Sequence, residues 1–582
     1  MTLRAALQPR SIAVIGASDN PHKVGGRPIL YMKRYGYRGA IYPINPGRAE
    51  VQGLKAYKAI AETPEAPDLA IIAVAGDEAV RAVDECAARG VQVAVVMTSG
   101  FGELGEEGRR AQARMAASAK AAGMRLVGPN CQGLANFATG AVANFSTVFH
   151  EIEARDGPVA IVSQSGACSQ AIYILARQRG LDVRHVHATG NEADVTVADL
   201  AEEIVQEEGV QLVLLYMEAI QRPEALARAA AIARERELPI VAVKAGRTAS
   251  GVRAASSHTG ALASEDRVID AFFEQHAIWR AADPQELVAA GQLYLQGGRP
   301  RGRRFVAVSN SGASCVMAAD AAEEMGLELP QFDEATQAKL RQVLPAFATP
   351  SNPLDVTGAL LNDSSLIGGS LEALGAADAC DLLMLAIPIA GAGYDVPRFA
   401  RDAAAYRERH GKALAVAAPQ PEVRETFEKR GLPAFFLIGK EAEEAGTIRH
   451  GARAMQAIYQ CTVPWCAILV RKVYGVAGAA HMNPARYCMR YAWPSGDWGS
   501  LPIAGGLEAA YKAELEAAPD PKAKLAEIEA RLEKLRSPFR SAESYIVEEI
   551  IDPRDTRALL TEFANLAAPL RTPGPPSFGY RP

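Results

Sequence analysis

The 582-residue chain has no run of apolar residues long enough to cross a membrane, and its eight cysteines include no CxxC pair. These absences argue against a membrane-spanning protein, a zinc site and a disulfide framework. The formal net charge of −5 offers no general attraction for nucleic acid or for an anionic membrane. The N-terminus runs directly into a strand pattern without a signal peptide, so we expect a cytoplasmic protein with reduced thiols.

Two nucleotide-binding signatures are also missing, the GxGxxG fingerprint and the GxxxxGK[ST] P-loop. What the chain has is an ordinary globular composition, with 49% hydrophobic residues, 22% charged residues and 50 glycines. This length and composition predict about three or four domains. Short apolar runs rich in β-branched residues alternate with helical patterns, which predicts an α/β fold with parallel, doubly wound sheets.

We divide the chain into four domains, which cover residues 1–145, 150–295, 300–435 and 436–582. Each of the first three opens with a strand and a loop of small residues, which predicts related α/β modules. The predicted strands of these modules are Ser11–Ile15, Gly39–Ile44, Asp68–Val74, Val91–Met97, Arg125–Val127, Val159–Val162, Val183–His187, Leu212–Tyr216, Pro239–Val243 and Phe305–Ser309. The fourth domain has three of the four tryptophans and a charged helix predicted over Pro521–Lys534.

The candidate for covalent chemistry is His258, within the sequence ASSHTGALA at residues 255–263. Thr259 and Gly260 follow it at a predicted helix start, where free N–H groups and the helix dipole favour an anion such as phosphate. Imidazole is nucleophilic near neutral pH and can carry a phosphoryl group. On spacing alone, an ordinary helix start with an incidental histidine explains the pattern at least as well.

Loops of small residues follow the strands of the first domain. At the carboxyl edge of a parallel sheet such loops converge on one crevice, which favours a ligand like an adenine nucleotide. Taken singly, each loop is equally well a tight turn. The residues that we assign to this ligand are Gly16, Ala17, Ser18, Lys23, Gly25, Asn45, Pro46, Pro129 and Asn130.

Residues 1 to about 430 resemble the α part of the nucleoside-diphosphate-forming acyl-CoA synthetases, relatives of succinyl-CoA synthetase. The matching motifs are collinear: SIAVIGAS, YPINP, GPNCQG, IVSQSGA, YMEAI, SSHTGALA, VAVSNSGA and SNPLDVTGA. The resemblance implies a Rossmann-like domain that binds coenzyme A, followed by two flavodoxin-like domains. It also implies that His258 becomes a phosphohistidine, which passes a phosphoryl group between an acyl phosphate and ADP.

Further site residues follow from this resemblance. Glu218 matches the carboxylate that holds the imidazole, although a solvated glutamate at a strand end is the alternative. Ser163, Ser165 and Gly166 open a second helix start that faces phosphate. Asn191, Glu192 and Asp194 fit an acidic loop near the acyl site, or equally a surface turn. We find no metal site.

The family's reaction also needs an ATP-grasp domain that binds the nucleotide and Mg²⁺, and no residues here resemble that domain. The resemblance therefore implies a separate ATP-grasp β subunit, an oligomer, and a carboxylic acid or acyl-CoA as the small-molecule substrate. We expect an acid–thiol ligase subunit of the ADP-forming acetate–CoA ligase type. The alternative is a CoA-binding protein without catalysis, or one associated with an acyl-CoA carboxyltransferase.

The fourth domain resembles the C-terminal part of a biotin-dependent acyl-CoA carboxyltransferase β chain, of a crotonase-like fold. Blocks such as Val470–Gly478, Tyr491–Pro494 and Ile550–Arg557 carry the resemblance. Val476 stands where that family has a glycine of its oxyanion hole, and a β-branched side chain would crowd an approaching carbonyl. We therefore interpret this segment as a fusion remnant or as an element for oligomerisation and docking.

Overall fold

The computed structural model describes residues 3–248, 266–378, 380–435, 463–470, 472–474, 487–499, 515, 520–535, 538–543 and 547–570. The chain divides into two compact units, Met1–Leu437 and Ile438–Pro582. His258, Thr259, Gly260 and Val476 lie outside the described residues, so their predicted roles stay predictions.

The first module of the larger unit is a parallel sheet in the order β2-β1-β5-β6-β7, with a small antiparallel ribbon of β3 and β4. Its core strands are buried along their whole length, as expected when helices cover both faces. The strands are β1 Ser11–Ile15, β2 Ala40–Ile44, β3 Glu50–Val51, β4 Leu54–Lys55, β5 Leu69–Ile72, β6 Val93–Val96 and β7 Arg125–Val127. The helices are α1 Arg4–Leu7, α2 Arg27–Arg34, α3 Asp77–Arg89 and α4 Glu106–Ala121.

The second module is a seven-stranded sheet in the order β14-β13-β12-β10-β11-β8-β9. Its strands are β8 Gly133–Asn136, β9 Ala141–Asn144, β10 Val159–Ser163, β11 Val183–Ala188, β12 Leu212–Met217, β13 Ile240–Lys244 and β14 Trp279–Ala281. Its helices are α5 Val148–Glu151, α6 Gly166–Gln178, α7 Val197–Ile204, α8 Pro223–Glu235, α9 Asp266–Gln275 and α10 Pro284–Gln296.

The third module is a five-stranded parallel sheet in the order β16-β15-β17-β18-β19. Its strands are β15 Phe305–Ser309, β16 Leu354–Asp355, β17 Leu382–Ala386, β18 Ala413–Ala417 and β19 Ala434–Phe435. Its helices are α11 Gly312–Glu324, α12 Glu334–Val343, α13 Ser365–Gly375, α14 Val396–His410 and α15 Pro421–Glu428. All ten strands predicted from the sequence are confirmed, each with ends within two residues of the prediction.

The parallel strands of all three modules follow one arrangement, in which the first strand lies between the second and the third. This is the flavodoxin-like order, and chain direction across the sheet reverses between the first and third strands. Ligands in such sheets bind at that switch point, outside the carboxyl ends of the strands. In the second module, the switch point lies between β10 and β12.

An antiparallel hairpin departs from the purely parallel sheets that the sequence predicts. Strands β8 and β9 pair with each other, and β8 pairs antiparallel with β11 of the second module. The predicted boundary at residue 145 places these residues in the first domain, whereas they extend the sheet of the second. Short apolar runs do not encode pairing direction, so their composition could not distinguish the two arrangements.

The smaller unit contains a parallel sheet in the order β20-β22-β24 and a separate pair of β21 and β23. Its described strands are β20 Trp465–Leu469, β21 Lys472–Tyr474, β22 Cys488–Ala492, β23 Asp497–Gly499 and β24 Glu549–Ile550. Its helices are α16 Pro521–Leu535, α17 Pro538–Glu543 and α18 Thr556–Ala567, and α16 confirms the predicted charged helix. Across the described parts of both units, no helix combines the length and apolarity that a membrane crossing requires.

Candidate functional site

The switch point of the second module opens into a cavity of about 310 Å³. The loop after β10 contributes Ser165 and Gly166, and the end of β12 contributes Glu218. Asn130 closes the cavity from the end of β7 in the first module. Two residues assigned to phosphate, one assigned to the cofactor and the proposed imidazole-holding carboxylate therefore share one cavity.

A serine turn shapes the floor of this cavity. The Ser163 hydroxyl donates to the carbonyl of Ser165 at 2.6 Å and accepts from the Ser165 N–H at 3.1 Å. Ser163 is completely buried, so its hydroxyl holds the turn and does not line the cavity. The Ser165 hydroxyl in turn accepts from the N–H of Cys168 at 3.3 Å and caps helix α6.

Helix α6 directs its N-terminus towards the cavity. Its first residue, Gly166, leaves room for the side chain of Gln132, because a Cβ at this glycine would lie 2.6 Å from Cγ of Gln132. The Gln132 Oε1 atom is buried, and it accepts no hydrogen bond. The free N–H groups at the helix start provide a surface that suits an anion.

Glu218 is presented to the cavity by the side chain of Gln164, which is buried between β10 and β12. The Gln164 Oε1 atom accepts hydrogen bonds from the backbone N–H groups of Glu218 and of Ala219, the latter at 3.0 Å. Its Nε2 atom donates to the carbonyl of Ala219 at 2.9 Å. One amide thus fixes the peptide that carries Glu218.

The same Gln164 Nε2 atom also donates to Glu192 Oε2 at 2.6 Å. Glu192 is only 5% exposed and has a positive φ of 55°, so it is not the surface turn that we considered. Burial raises the pKa of its carboxyl to about 7, although hydrogen bonds to the carboxylate oppose the shift. A carboxyl group that titrates near neutral pH therefore lies one hydrogen bond from the glutamine that positions Glu218.

Lys244 ends the neighbouring strand β13, opposite Met217 in the sheet register. Its ammonium group donates to the carbonyl of Ala245 at 2.7 Å, and burial lowers its pKa. The nearby Glu218 carboxylate opposes that lowering. The end of β13 therefore adds a positive charge beside Glu218.

The glycine loop of the first module folds closely on itself. Gly16 has a φ of +82°, and a Cβ at Gly25 would lie 2.1 Å from the carbonyl oxygen of Gly16. Asn45 joins the loop, because its Nδ2 atom donates to the carbonyl of Ala17 at 2.8 Å. The structure therefore brings Gly16, Ala17, Ser18, Gly25 and Asn45 together at the switch point of the first sheet, with Lys23 and Pro46 exposed at its edge.

The Pro129–Asn130 turn lies three strands away from that loop and packs against the second module. The Pro129 carbonyl accepts from the N–H of Asn191 at 2.9 Å, and Asn130 Nδ2 donates to Asn191 Oδ1 at 3.2 Å. Asp194 also joins the modules, since its carboxylate accepts from Arg125 Nε at 2.9 Å. Asn191 and Asp194 therefore connect the two sheets at the edge of the cavity.

Sequence reasoning missed Gln164 and underrated Glu192. Gln164 lies inside the quoted motif IVSQSGA, where the flanking serines drew attention to the helix start. No periodicity marks Glu192, because its burial depends on the contact between two strand-end loops. The available signal is its position, the fourth residue after the end of β11, in a loop at the carboxyl edge of the sheet. Only the fold shows that this loop is internal.

The histidines of the described residues form no metal centre, and no group of three or more metal-ligating side chains lies together in that part of the chain. His187 Nε2 and His185 Nδ1 lie 3.1 Å apart, and His185 Nε2 lies 2.7 Å from Glu207 Oε2. Burial holds the pKa of His187 well below its usual value. This chain of side chains is buried between β11 and the segment after α7, away from the cavity.

Three family models match the chain. A CoA binding domain covers residues 10–136, a succinyl-CoA ligase like flavodoxin domain covers residues 156–294, and a carboxyl transferase domain covers residues 434–572. The fold prediction is thereby confirmed for the CoA-binding domain, the flavodoxin-like domain and the carboxyltransferase-like segment.

Curated relatives support the same assignment. The chain is 36% identical over 381 residues to the α subunit of ADP-forming acetate–CoA ligase I of Pyrococcus furiosus, which covers 64% of this chain and 80% of the relative. It is 37% identical to the α subunit of ligase II from the same organism, over 60% and 74% of the two chains. The C-terminal part is 36% identical over 126 residues to the carboxyltransferase subunit of a propionyl-CoA carboxylase from Haloferax mediterranei, 24% of that protein.

A solved structure resembles the larger unit. The dinucleotide forming acetyl-coenzyme A synthetase 1 of Ca. Korarchaeum cryptofilum, in complex with phosphate and ADP, has a TM-score of 0.68 and 28% sequence identity. The likeness covers 74% of this chain and 93% of that chain.

Proposed function

The chain belongs to the family of ADP-forming acetate–CoA ligase α subunits, and from this premise we propose that it interconverts an acyl-CoA and a carboxylic acid through an acyl phosphate and a phosphohistidine. The observation that carries the proposal is the convergence of the α6 N-terminus and Glu218 on one cavity. The family resemblance assigns His258 as the phosphohistidine. It lies fourteen residues after Lys244 in the sequence.

In the proposed reaction, inorganic phosphate attacks the acyl carbon of the thioester and releases the thiol of coenzyme A. An imidazole nitrogen of His258 then attacks the phosphorus of the acyl phosphate and releases the carboxylate. Ser165 and Gly166 hold the phosphoryl group at the start of α6, where the helix dipole stabilises its charge. Glu218 accepts a hydrogen bond from the other imidazole nitrogen, which fixes the tautomer and stabilises the positive ring.

Coenzyme A fits the row of strand-end loops that runs from Gly16 to Asn130. Three strand spacings of roughly 4.8 Å separate β1 from β7, about 14 Å in all. An elongated ligand that binds at Gly16 can therefore extend along the sheet edge, and Asn130 lines the cavity where a thioester must arrive. Lys23 is exposed beside the glycine loop and its side chain makes no hydrogen bond or ion pair within the described residues, so it is available to a phosphate.

The names of the relatives as α subunits support a partner chain. We assign to it the ATP-grasp domain, which would bind ADP or ATP with Mg²⁺ and exchange the phosphoryl group with His258. Assembly into an oligomer and a cytoplasmic location are further parts of the proposal.

Labelling of the chain tests this proposal. Incubation with acetyl-CoA and ³²P-phosphate should produce a protein-bound phosphate that is labile to acid and stable to alkali. His258→Ala should lose the label and retain CoA-dependent thermal stabilisation, because the ligand still binds the folded state. Equal labelling of the wild type and His258→Ala would refute the assigned nucleophile.

A second candidate function belongs to the smaller unit, and the carboxyl transferase match over residues 434–572 favours it. The alignment with the carboxylase subunit spans only about a quarter of that protein. We therefore propose that the smaller unit serves in docking and not in carboxyl transfer. Helix α18 is fixed within this unit by a hydrogen bond from Trp493 Nε1 to Thr556 Oγ1 and by stacking of Tyr487 on Phe563. Co-purification with a biotinylated protein would support a carboxylase-related role.

A further inference from the structure

We propose that Glu192, acting through Gln164, is a positioning residue that holds Glu218 in place for phosphoryl transfer. The inference rests on the proposed function, because it concerns the same cavity. It assigns to Glu192 no contact with the substrate. Its role is to set the orientation of one buried amide.

The first step is the coupling of Gln164 to Glu218. A glutamine side chain can present either its oxygen or its nitrogen to a neighbour. Here the oxygen must face the N–H groups of Glu218 and Ala219, because it accepts from both. If the amide turned over, its NH₂ group would face two other donors, and the peptide that carries Glu218 would lose both hydrogen bonds.

The second step is the coupling of Glu192 to Gln164. The Glu192 carboxylate accepts from Gln164 Nε2 at 2.6 Å, from Thr189 Oγ1 at 2.8 Å and from the N–H of Val197 at 2.7 Å. The amide nitrogen of Gln164 and the N–H of Val197 can only donate, and the Thr189 hydroxyl donates here, so the ionised carboxylate satisfies all three. A carboxylate accepts only, so together with the carbonyl of Ala219, which also accepts from Nε2, it selects the Gln164 orientation in which nitrogen faces Glu192 and oxygen faces Glu218.

The third module provides an internal comparison. Ser163 pairs with Ala188 and Ser309 with Asp355, so the residues four positions further on, Glu192 and Ala359, correspond. Alanine offers no acceptor. Asn310, the counterpart of Gln164, donates to the carbonyl of Ile389 at 2.8 Å, as Gln164 does to that of Ala219, but its buried Oδ1 atom accepts no hydrogen bond, so this amide lacks the two donors that Gln164 receives.

Burial is the main cause of the raised pKa of Glu192, and the charged groups around it adjust that pKa further. Asp199 of α7 raises the pKa of Glu192, and it is itself paired with Arg222 at 2.5 Å and with Arg125 at 3.8 Å. Glu218 lies beyond Gln164. On the neighbouring loop, Glu103 accepts from Asn191 Nδ2 at 2.6 Å, and this hydrogen bond helps to lower the pKa of Glu103. Burial is the largest cause of the Glu192 shift, so protonation near pH 7 removes one acceptor site.

The test is a single-turnover measurement of phosphoryl transfer from acetyl phosphate to the full chain, between pH 5.5 and 8.5. Glu192→Gln keeps the side-chain shape but places a donor among three donors. We expect its rate constant above pH 7 to fall about tenfold, while the acetyl phosphate concentration at half-maximal rate changes less than about twofold. Thr189→Val removes one donor to the carboxylate, so the pH midpoint of the rate should move upwards.

The matched control is Glu207→Gln, a half-buried glutamate of the same module that hydrogen-bonds to His185 away from the cavity. It should leave the rate constant and the pH midpoint unchanged. A wild-type chain that takes no label overturns the phosphohistidine proposal, and the inference falls with it. If the wild type takes the label and both Glu192→Gln and Thr189→Val match its rate constant and pH midpoint, the role of Glu192 is overturned. The phosphohistidine proposal is then unaffected.

Discussion

The second and third modules share a topology and a serine turn, but they differ in what the turn faces. The N–H of Ser311 donates to the Ser309 hydroxyl at 3.2 Å, as that of Ser165 does to Ser163 at 3.1 Å. Ser163 pairs with Tyr216 and Ser309 with Ala386, so Glu218 in the second module corresponds to Pro388 in the third. Proline offers neither a carboxylate nor an N–H group.

This difference shows that the fold alone does not define the chemistry. Both sheets provide a switch point and a helix that begins after a serine turn. In the second, Glu218 shares the cavity with that helix start and has a buried glutamate–glutamine pair behind it, whereas the carboxylate beside the α11 start in the third is Asp355 of β16. Function on a common scaffold depends on such side chains.

The largest expected effect is on Glu218 itself. Glu218→Gln removes the negative charge that stabilises the imidazolium, and we expect phosphoryl transfer from acetyl phosphate to fall by about 100-fold or more. Glu224→Gln is the control, since Glu224 is an exposed residue in the first turn of α8. A quench-flow assay measures both. If the rate of phosphoryl transfer fell equally in both variants, Glu218 would have no special role at the switch point.

The next effect is on the pH dependence of stability. The folded pKa of Glu192 is about 7, above its ordinary value of 4.5, so the folded state holds a proton that the unfolded state releases. The protonated carboxyl of Glu192 therefore contributes its full stabilisation below pH 4.5, and this stabilisation is lost as the pH rises to about 7. Between pH 4.5 and 7, the free energy of unfolding of the wild type should fall by on the order of 3 kcal/mol relative to that of Glu192→Gln. Urea unfolding at several pH values measures this difference. A constant difference would show that Glu192 titrates normally.

A smaller contrast concerns the two buried amides. Gln164→Leu leaves the N–H groups of Glu218 and Ala219 without their acceptor, and we expect a loss of about 2 kcal/mol. Asn310→Leu removes one hydrogen bond and also an unsatisfied acceptor, so its cost should be about 1 kcal/mol or less. Chemical denaturation compares the two. Equal costs would mean that the Gln164 network stabilises the protein no more than the single hydrogen bond of Asn310 does.

The smallest contrast is in helix capping. The Ser165 hydroxyl caps α6, and Ser165→Ala should cost about 1 kcal/mol. Ser311 makes no side-chain cap at α11, so Ser311→Ala should cost only a few tenths of a kcal/mol. Thermal unfolding of both variants measures the difference. A larger loss for Ser311→Ala would contradict the capping geometry.

Much of this comparison could be predicted from the sequence. Continuous apolar runs located five strands of the first module, four of the second and the first strand of the third, because strands buried on both faces leave that pattern. The motif IVSQSGA located the α6 start, and the family resemblance selected Glu218. The hairpin Gly133–Asn144 could not be assigned to its sheet, since composition does not specify pairing direction.

The positioning network was beyond sequence reasoning for a different reason. Glu192 reads as a polar loop residue, and its burial arises from packing against β10 and α7. Its raised pKa follows from that burial, and its connection to Glu218 passes through the amide of Gln164. Neither the burial nor the orientation of an amide is encoded by spacing along the chain.

The most direct test of the account is to locate the phosphate on the chain. The protein is labelled with acetyl phosphate, digested at neutral pH and mapped by mass spectrometry. We predict one acid-labile phosphate on the peptide that contains residue 258, and almost none in Glu218→Gln. A phosphate on a peptide of the third module, or an undiminished label in Glu218→Gln, would contradict the claim that the second switch point performs the transfer.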